Sequence, residues 1–251
     1  MLNQSYVAGN FWNIYNLPQY FDKTEQPQLT RDEFLHCVQT AFATRPIVVR
    51  DAASFVYMGE KCEESSSRSQ FYAEQVNQMV GDSFFTCDSV WLAEQMRDAG
   101  VPVYIYYFDQ PSSANPWPRW TGVMHGYEIE YVFGIPIYNT TAGYTPKEKA
   151  FSEKIINSWG SFAINGVPRL SERAGDEWPE FGSTNKWIYL RGGSHIKPIE
   201  RRKEKECAMW RSARDLEYEK YLLQRKTSNS PSVSYRPVIV CLIILALQSL
   251  R

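Results

Sequence analysis

Past Thr30, apolar residues recur at the spacing of one helix face: Phe34, Val38, Ala41 and Phe42 follow the string Thr30-Arg31-Asp32-Glu33. A threonine with a glutamate three residues later is a capping box, each side chain serving a backbone N–H of the first turn. A helix is therefore expected near 31–43. The polar run Ser65 to Ser69 reads as an exposed loop, and Phe71, Val76, Met79 and Val80 mark a helix after it. Another helix is expected over about 85–98, with Val90, Leu92 and Met96 as its apolar positions and Gly100 as its stop. The pattern then changes period. Residues 101–108 are apolar, β-branched and aromatic, and read as a buried strand in a sheet covered on both faces.

A loop rich in Pro and Ser runs from Asp109 to Gly122. Thr145-Pro146-Lys147-Glu148 is a second capping box with proline at the first helical position, and Phe151, Ile155, Trp159 and Phe162 are expected on the buried face of its helix. Trp187-Ile188-Tyr189-Leu190 is a short strand. Residues 198–224 read as a long charged helix with Cys207, Trp210, Ala213 and Tyr221 roughly along one face. Helices alternating with buried strands indicate the α/β class, and two or three strands make an incomplete sheet.

Composition narrows the classes. Of 251 residues, 43% are hydrophobic and 15% aromatic, enough for a real core. A formal net charge of -1 offers no field for nucleic acid or anionic lipid, so no nucleic-acid partner is expected. The five cysteines, Cys37, Cys62, Cys87, Cys207 and Cys241, contain no CxxC pair, which excludes a zinc finger; no metal and no cofactor are expected. Two sequons, Asn3-Gln4-Ser5 and Asn139-Thr140-Thr141, fit a secreted glycoprotein, with Asn139 the expected acceptor.

The two ends differ. The start lacks a basic region and an apolar stretch, so no signal peptide is read there. At the other end come small residues, Thr227 to Ser230, then a polar spacer from Pro231 to Pro237, then the apolar tail VIVCLIILALQSL. That tail is shorter than the ~20 residues a spanning helix needs. The arrangement matches a GPI-attachment signal, with Ser228 as the attachment site. The expected division is 1–226 as the folded portion and 227–251 as the signal. Membrane attachment through a GPI anchor at the extracellular surface follows, as does the expectation that the chain is the rear part of a longer protein.

Histidine is scarce. His36 lies inside the first capped helix and reads as a surface or structural residue. His195 follows Gly192-Gly193-Ser194, but Ile196 stands where a nucleophile elbow needs its last glycine, so that string reads as a turn. His125 is placed differently. A strand, then a loop, then a histidine among Trp117, Trp120 and Tyr127 is the arrangement by which a sheet delivers a catalytic base to its edge. Spacing alone leaves a structural histidine as the alternative.

The string WTGVMHGYEIEYVFG, Trp120 to Gly134, resembles the cholinesterases and the wider type-B carboxylesterase family. So do GNFWNIYNLPQYFDK from Gly9, LTRDEF from Leu29, VGDSFFTC from Val80, and the helix of Trp159. The resemblance implies the C-terminal part of an α/β-hydrolase fold, with an incomplete central sheet and flanking helices. It implies His125 as the general base of a serine esterase, taking the serine's proton and returning it to the leaving alcohol. It implies Glu128 as a polar support, Tyr127 and Trp117 as gorge-lining aromatics, Trp12 in an acyl pocket and Tyr15 at mid-gorge. Phe11 would face the choline cation, and a ring face attracts a quaternary ammonium by roughly 0.5–2 kcal/mol. Cys87 and Cys207 would form a disulfide, and the last helix would be a homodimer contact. A small-molecule choline ester is the implied substrate.

The pattern breaks in two places. The family's triad acid precedes the Gly9 position, where this chain has Ala8. The G-x-S-x-G elbow is absent from the sequence, and with it the nucleophile. Three readings follow: a portion of a choline esterase, a portion of a general carboxylesterase, or a non-catalytic cholinesterase-like adhesion protein.

Overall fold

The computed structural model describes residues 28–59, 66–116, 118–123, 125–173, 175–193 and 196–227. The first capping box forms as expected: Glu33 N donates to Thr30 Oγ1 at 3.3 Å and Thr30 N to Glu33 Oε2 at 2.8 Å. It starts α1, Arg31–Ala41, which buries Phe34, Cys37 and Val38 and leaves His36 exposed. Helix α2, Ile47–Met58, was not expected, because its opening Ile47-Val48-Val49 carries β-branched residues that favour strands. Its buried positions Val49, Ala53 and Tyr57 recur every fourth residue, which a helix can bury together.

Helix α3, Ser66–Gly81, corrects the reading of the serine run as a loop. Serine is only mildly unfavourable in a helix, and the apolar turns that follow carry it. Helix α3 passes through a wide π-type turn, Asp82–Thr86, into α4, Cys87–Asp98. Val90 is buried in α4 as expected, but Leu92 and Met96 are exposed, and the buried partners are Cys87, Trp91 and Ala93. The stop at Gly100 holds: with φ +76 it donates to Arg97 O at 2.8 Å while Val101 N reaches Met96 O at 3.0 Å, a Schellman closure.

Strand β1 covers only Tyr106–Phe108, and it is not buried on both faces. Val101 and Pro102 are exposed, residues 103–107 half-buried and Phe108 buried. Strand β2, Lys186–Leu190, pairs with it in parallel in the register Tyr106 with Ile188 and Phe108 with Leu190. Strand β3, Lys197–Glu200, pairs antiparallel to β2, giving the order β1-β2-β3. Residues 198–200 were expected to be helical. Pro198 has no N–H to donate, which an edge strand tolerates, and after Lys203 at φ +67 the chain enters α9, Glu204–Thr227.

Between β1 and β2 lie α5, Glu128–Val132, α6, Ile135–Tyr138, α7, Pro146–Asn165, and α8, Phe181–Thr184. Phe151 and Ile155 of α7 are buried and Trp159 half-buried, but Phe162 is 50% exposed, against expectation. Three apolar clusters result. The first joins α1, α2, α3 and α4 to Cys207, Trp210 and Ala213 of α9. The second joins Phe108, Tyr131, Phe151, Ile155, Trp178 and Leu190. The third holds Val90, Ala93, Phe181 and Trp187.

The implied disulfide is present: Cys87 and Cys207 are bonded, with Cα atoms 5.1 Å apart across 120 residues of sequence. Two polar clamps flank it. Asp82 is fully buried and accepts from Tyr57 Oη and Lys203 Nζ, both at 2.8 Å. Trp210 Nε1 donates to Tyr57 Oη at 3.0 Å. Glu94 pairs with both Arg201 and Arg211. Cys37 is a buried free thiol, its pKa pushed up to about 12 by burial and by the Glu33 charge.

The main unit ends at Ala213, and the second begins at Arg214. Within the second, Arg214 meets Asp215 at 3.9 Å and the rings of Tyr218 and Tyr221 stack at 6.5 Å. Tyr221, expected on the buried face, is 42% exposed. Among the described residues no helix is long and apolar enough to cross a membrane.

Candidate active-site loop

The loop that follows β1 is stapled at its root. Asp109 N donates to Leu190 O at 2.9 Å, extending the β1–β2 pairing, while the Asp109 carboxylate takes Tyr189 Oη and, at 3.0 Å, Arg191. Gly192 N donates to Gln110 Oε1 at 2.8 Å.

Farther along, Glu148 takes over. Its capping box with Thr145 forms as expected, Thr145 N and Oγ1 each donating to Oε2 at 2.7 Å. The other oxygen, Oε1, accepts from Ser113 N at 2.7 Å and from Tyr131 Oη at 3.1 Å. One carboxylate thus ties the start of α7 to the loop and to α5. Glu148 is only 3% exposed, and burial alone raises a carboxyl pKa; the bonds from Thr145 and Ser113 outweigh it and hold the group below the usual range. Glu130 goes the other way. Burial raises it, opposed by bonds from Ser112 and Tyr144 and assisted by the nearby Glu148 charge.

After the short 3₁₀ turn Arg119–Thr121 the backbone turns at Gly122, φ +64, and buries Val123. His125 and Tyr127 then form a turn around Gly126, φ +85, a left-handed conformation that glycine adopts without strain. The His125 ring is half-buried and stacks on Phe85, centroids 5.5 Å apart and planes 30° apart. Phe85 comes from the π-type turn, so the histidine meets the α3–α4 unit. Tyr127 Oη donates to Asn115 Oδ1 at 2.8 Å, closing the loop on itself. Glu128 opens α5 half-buried, and its charge, after burial, helps raise the Tyr106 hydroxyl well above its usual range.

His125, Tyr127 and Glu128 are therefore together, at the end of a loop fixed at both roots. An imidazole held this way can exchange a proton with a hydroxyl brought to it. Phe11, Trp12, Tyr15, Trp117, Ser228 and Ala8 lie outside the described residues, as do His195, Cys62 and Cys241. Asn139 is half-buried at the end of α6, with Oδ1 accepting from Thr141 N at 3.2 Å. Phe85 and the second oxygen of Glu148 escaped sequence reasoning. The capping box exposed Glu148 as a cap, but its contacts with Ser113 and Tyr131 span 35 and 17 residues and leave no local signal.

The sequence model described as the carboxylesterase family matches residues 4–210. The chain is similar to "Acetylcholinesterase 4" of Caenorhabditis briggsae, 47% identical over 94% of this chain and 42% of the relative. It is also similar to the "Cholinesterase" of Mus musculus, 30% identical over 81% of this chain and 33% of the relative. The "Acetylcholinesterase" of Bungarus fasciatus is 29% identical over 80% and 32%, respectively. The chain thus spans less than half the length of each of these relatives.

Proposed function

Because the chain belongs to the carboxylesterase family, whose fold is the α/β-hydrolase fold, we propose that it is the base-bearing portion of a serine esterase that hydrolyses choline esters such as acetylcholine. The observation that carries the reading is the His125 turn, rooted in β1, Glu148 and Phe85. His125 takes the proton of a serine hydroxyl as that oxygen attacks the ester carbonyl, then gives it to the departing choline oxygen. The acyl-serine is hydrolysed by the same base acting on water. The nucleophile comes from outside this sequence. Glu128 supports the histidine's surroundings; Phe11, Trp12, Tyr15, Trp117 and Tyr127 line the substrate's path.

The same family relation supports an extracellular setting. A GPI anchor at Ser228, a glycan at Asn139 and a homodimer through α9 belong to this proposal. A general carboxylesterase is the nearest alternative, and relative turnover of choline and neutral aryl esters separates the two. Ala8, standing where the family pattern has an acid, favours a non-catalytic interaction protein as the other reading.

The test is a chimaera in which residues 9–226 replace the matching stretch of the Caenorhabditis relative. Hydrolysis of a choline ester, lost on His125→Gln, is expected. A folded chimaera that turns over no ester sinks the catalytic reading. The 251-residue chain alone is expected to give no turnover above background.

A further inference from the structure

Beside β1 and α7 lies a half-open cavity of about 130 Å³ walled by Tyr104, Tyr106, Trp159, Phe162 and Trp178, with Pro168 and Ser158 completing it. It shares no residue with the His125 turn. Its wall is aromatic and carries no charged side chain. An ion seated there would leave water without a counter-charge, so the wall favours a neutral occupant. A cavity of about 150 Å³ accepts benzene, which limits this one to a compact molecule of similar bulk.

One donor in the wall is unpaired. Trp178 is 6% exposed, and its Nε1 meets no acceptor among the described residues. The residue is held in place. Its backbone N donates to Pro168 O at 3.0 Å. Its ring meets Trp159 edge to face at 5.4 Å and 78°, and Tyr106 at 6.0 Å and 67°. A ring packed this way does not turn its N–H out to water. The Ser158 hydroxyl is already committed as a donor, within 2.9 Å of Lys154 O and 3.0 Å of Arg169 O. A buried donor without an acceptor carries its full desolvation cost, and an incoming acceptor relieves it. A carbonyl oxygen does so without adding a donor of its own, whereas an alcohol would bring an O–H that needs a partner in turn.

We propose that this cavity binds a compact neutral carbonyl compound, its oxygen accepting from Trp178 Nε1, separately from the choline-ester site proposed around His125. The half-exposed Phe162 ring forms its rim.

The full chain, labelled with ¹⁵N, is titrated with cyclohexanone, with methylenecyclohexane, which has the same shape but no acceptor, and with cyclohexylammonium. Indole N–H signals are followed by NMR, that of Trp178 being identified by its loss in Trp178→Phe. Saturable binding of the ketone is expected, with the Trp178 Nε1–H signal moving downfield. The alkene is expected to bind about 2- to 12-fold more weakly, the share of one hydrogen bond, and the ammonium not to saturate. Trp178→Phe keeps a ring and removes the donor, and is expected to bring the ketone down to the affinity of the alkene. Phe162→Leu alters a rim ring outside the buried core, stays informative if the first variant fails to fold, and is expected to weaken ketone and alkene alike. No saturable ketone binding, equal affinity for ketone and alkene, a Trp178 signal that stays in place at saturation, or ketone binding unchanged in folded Phe162→Leu overturns the proposal. His125→Gln is expected to leave ketone binding unchanged, whatever the outcome for esterase function; loss of binding in that variant would move the ketone to the His125 turn and overturn the proposal too.

Discussion

The His125 ring lies against Phe85, 5.5 Å between centroids and 30° between planes, joining a loop after β1 to the turn between α3 and α4. The two residues lie forty positions apart in the sequence, and the contact lays the imidazole along one wall. Phe85→Ala removes that wall. Unfolding by denaturant is expected to show a loss of about 2 kcal/mol, given a half-buried aromatic ring. The His125 ring protons, followed by NMR, are expected to lose their ring-current shift. Signals unchanged from the wild type would show that other groups orient the imidazole.

Glu148→Gln tests the carboxylate that braces the loop. Either orientation of the amide turns its NH₂ toward donors, Ser113 N and Tyr131 Oη on one side or Thr145 on the other. A loss of about 2–3 kcal/mol at pH 7 is expected, since the bonds are to a charged acceptor. The sign with pH follows from the depressed pKa. The stabilisation is fully present above the ordinary carboxylate value of about 4.3 and fades as pH falls through the lower folded value. The gap between wild type and variant in denaturation midpoints therefore closes in acid. A gap that widened there would contradict the assignment.

Lys203→Met leaves the Asp82 carboxylate buried without its cation. Burial already raises Asp82, with Lys203, Tyr57 and their bonds opposing it. Removing one partner of such a pair is expected to destabilise by about 3–5 kcal/mol. Adding Asp82→Asn to the same chain is expected to recover part of that loss, which thermal denaturation of the single and double variants would show.

The disulfide closes 120 residues of sequence between α4 and α9. Cys87→Ser with Cys207→Ser is expected to lower stability by about 2–5 kcal/mol. Reductant is expected to shift the wild-type midpoint toward that of the variant and to leave the variant in place. An unchanged wild-type midpoint under full reduction would mean that the ion pairs and the packing of Trp210 and Ala213 hold α9 without the disulfide.

Local rules were legible in the sequence because they act over a few residues. The capping boxes at Thr30 and Thr145, the Gly100 stop and the β2 strand all depend on neighbours within one turn, and all appear where the pattern puts them. The family motif around His125 was legible for a different reason: it is a long string whose residue identities are specific. What a side chain faces was not legible. Leu92, Met96 and Phe162 obey the helical period yet are exposed, because period defines a face and only packing decides whether something covers it. Residues 198–200 read as helix until pairing with β2 offered Pro198 an edge position. Tertiary structure alone set Phe85 against His125 and gave Glu148 a second set of partners, since both contacts join segments far apart in the chain.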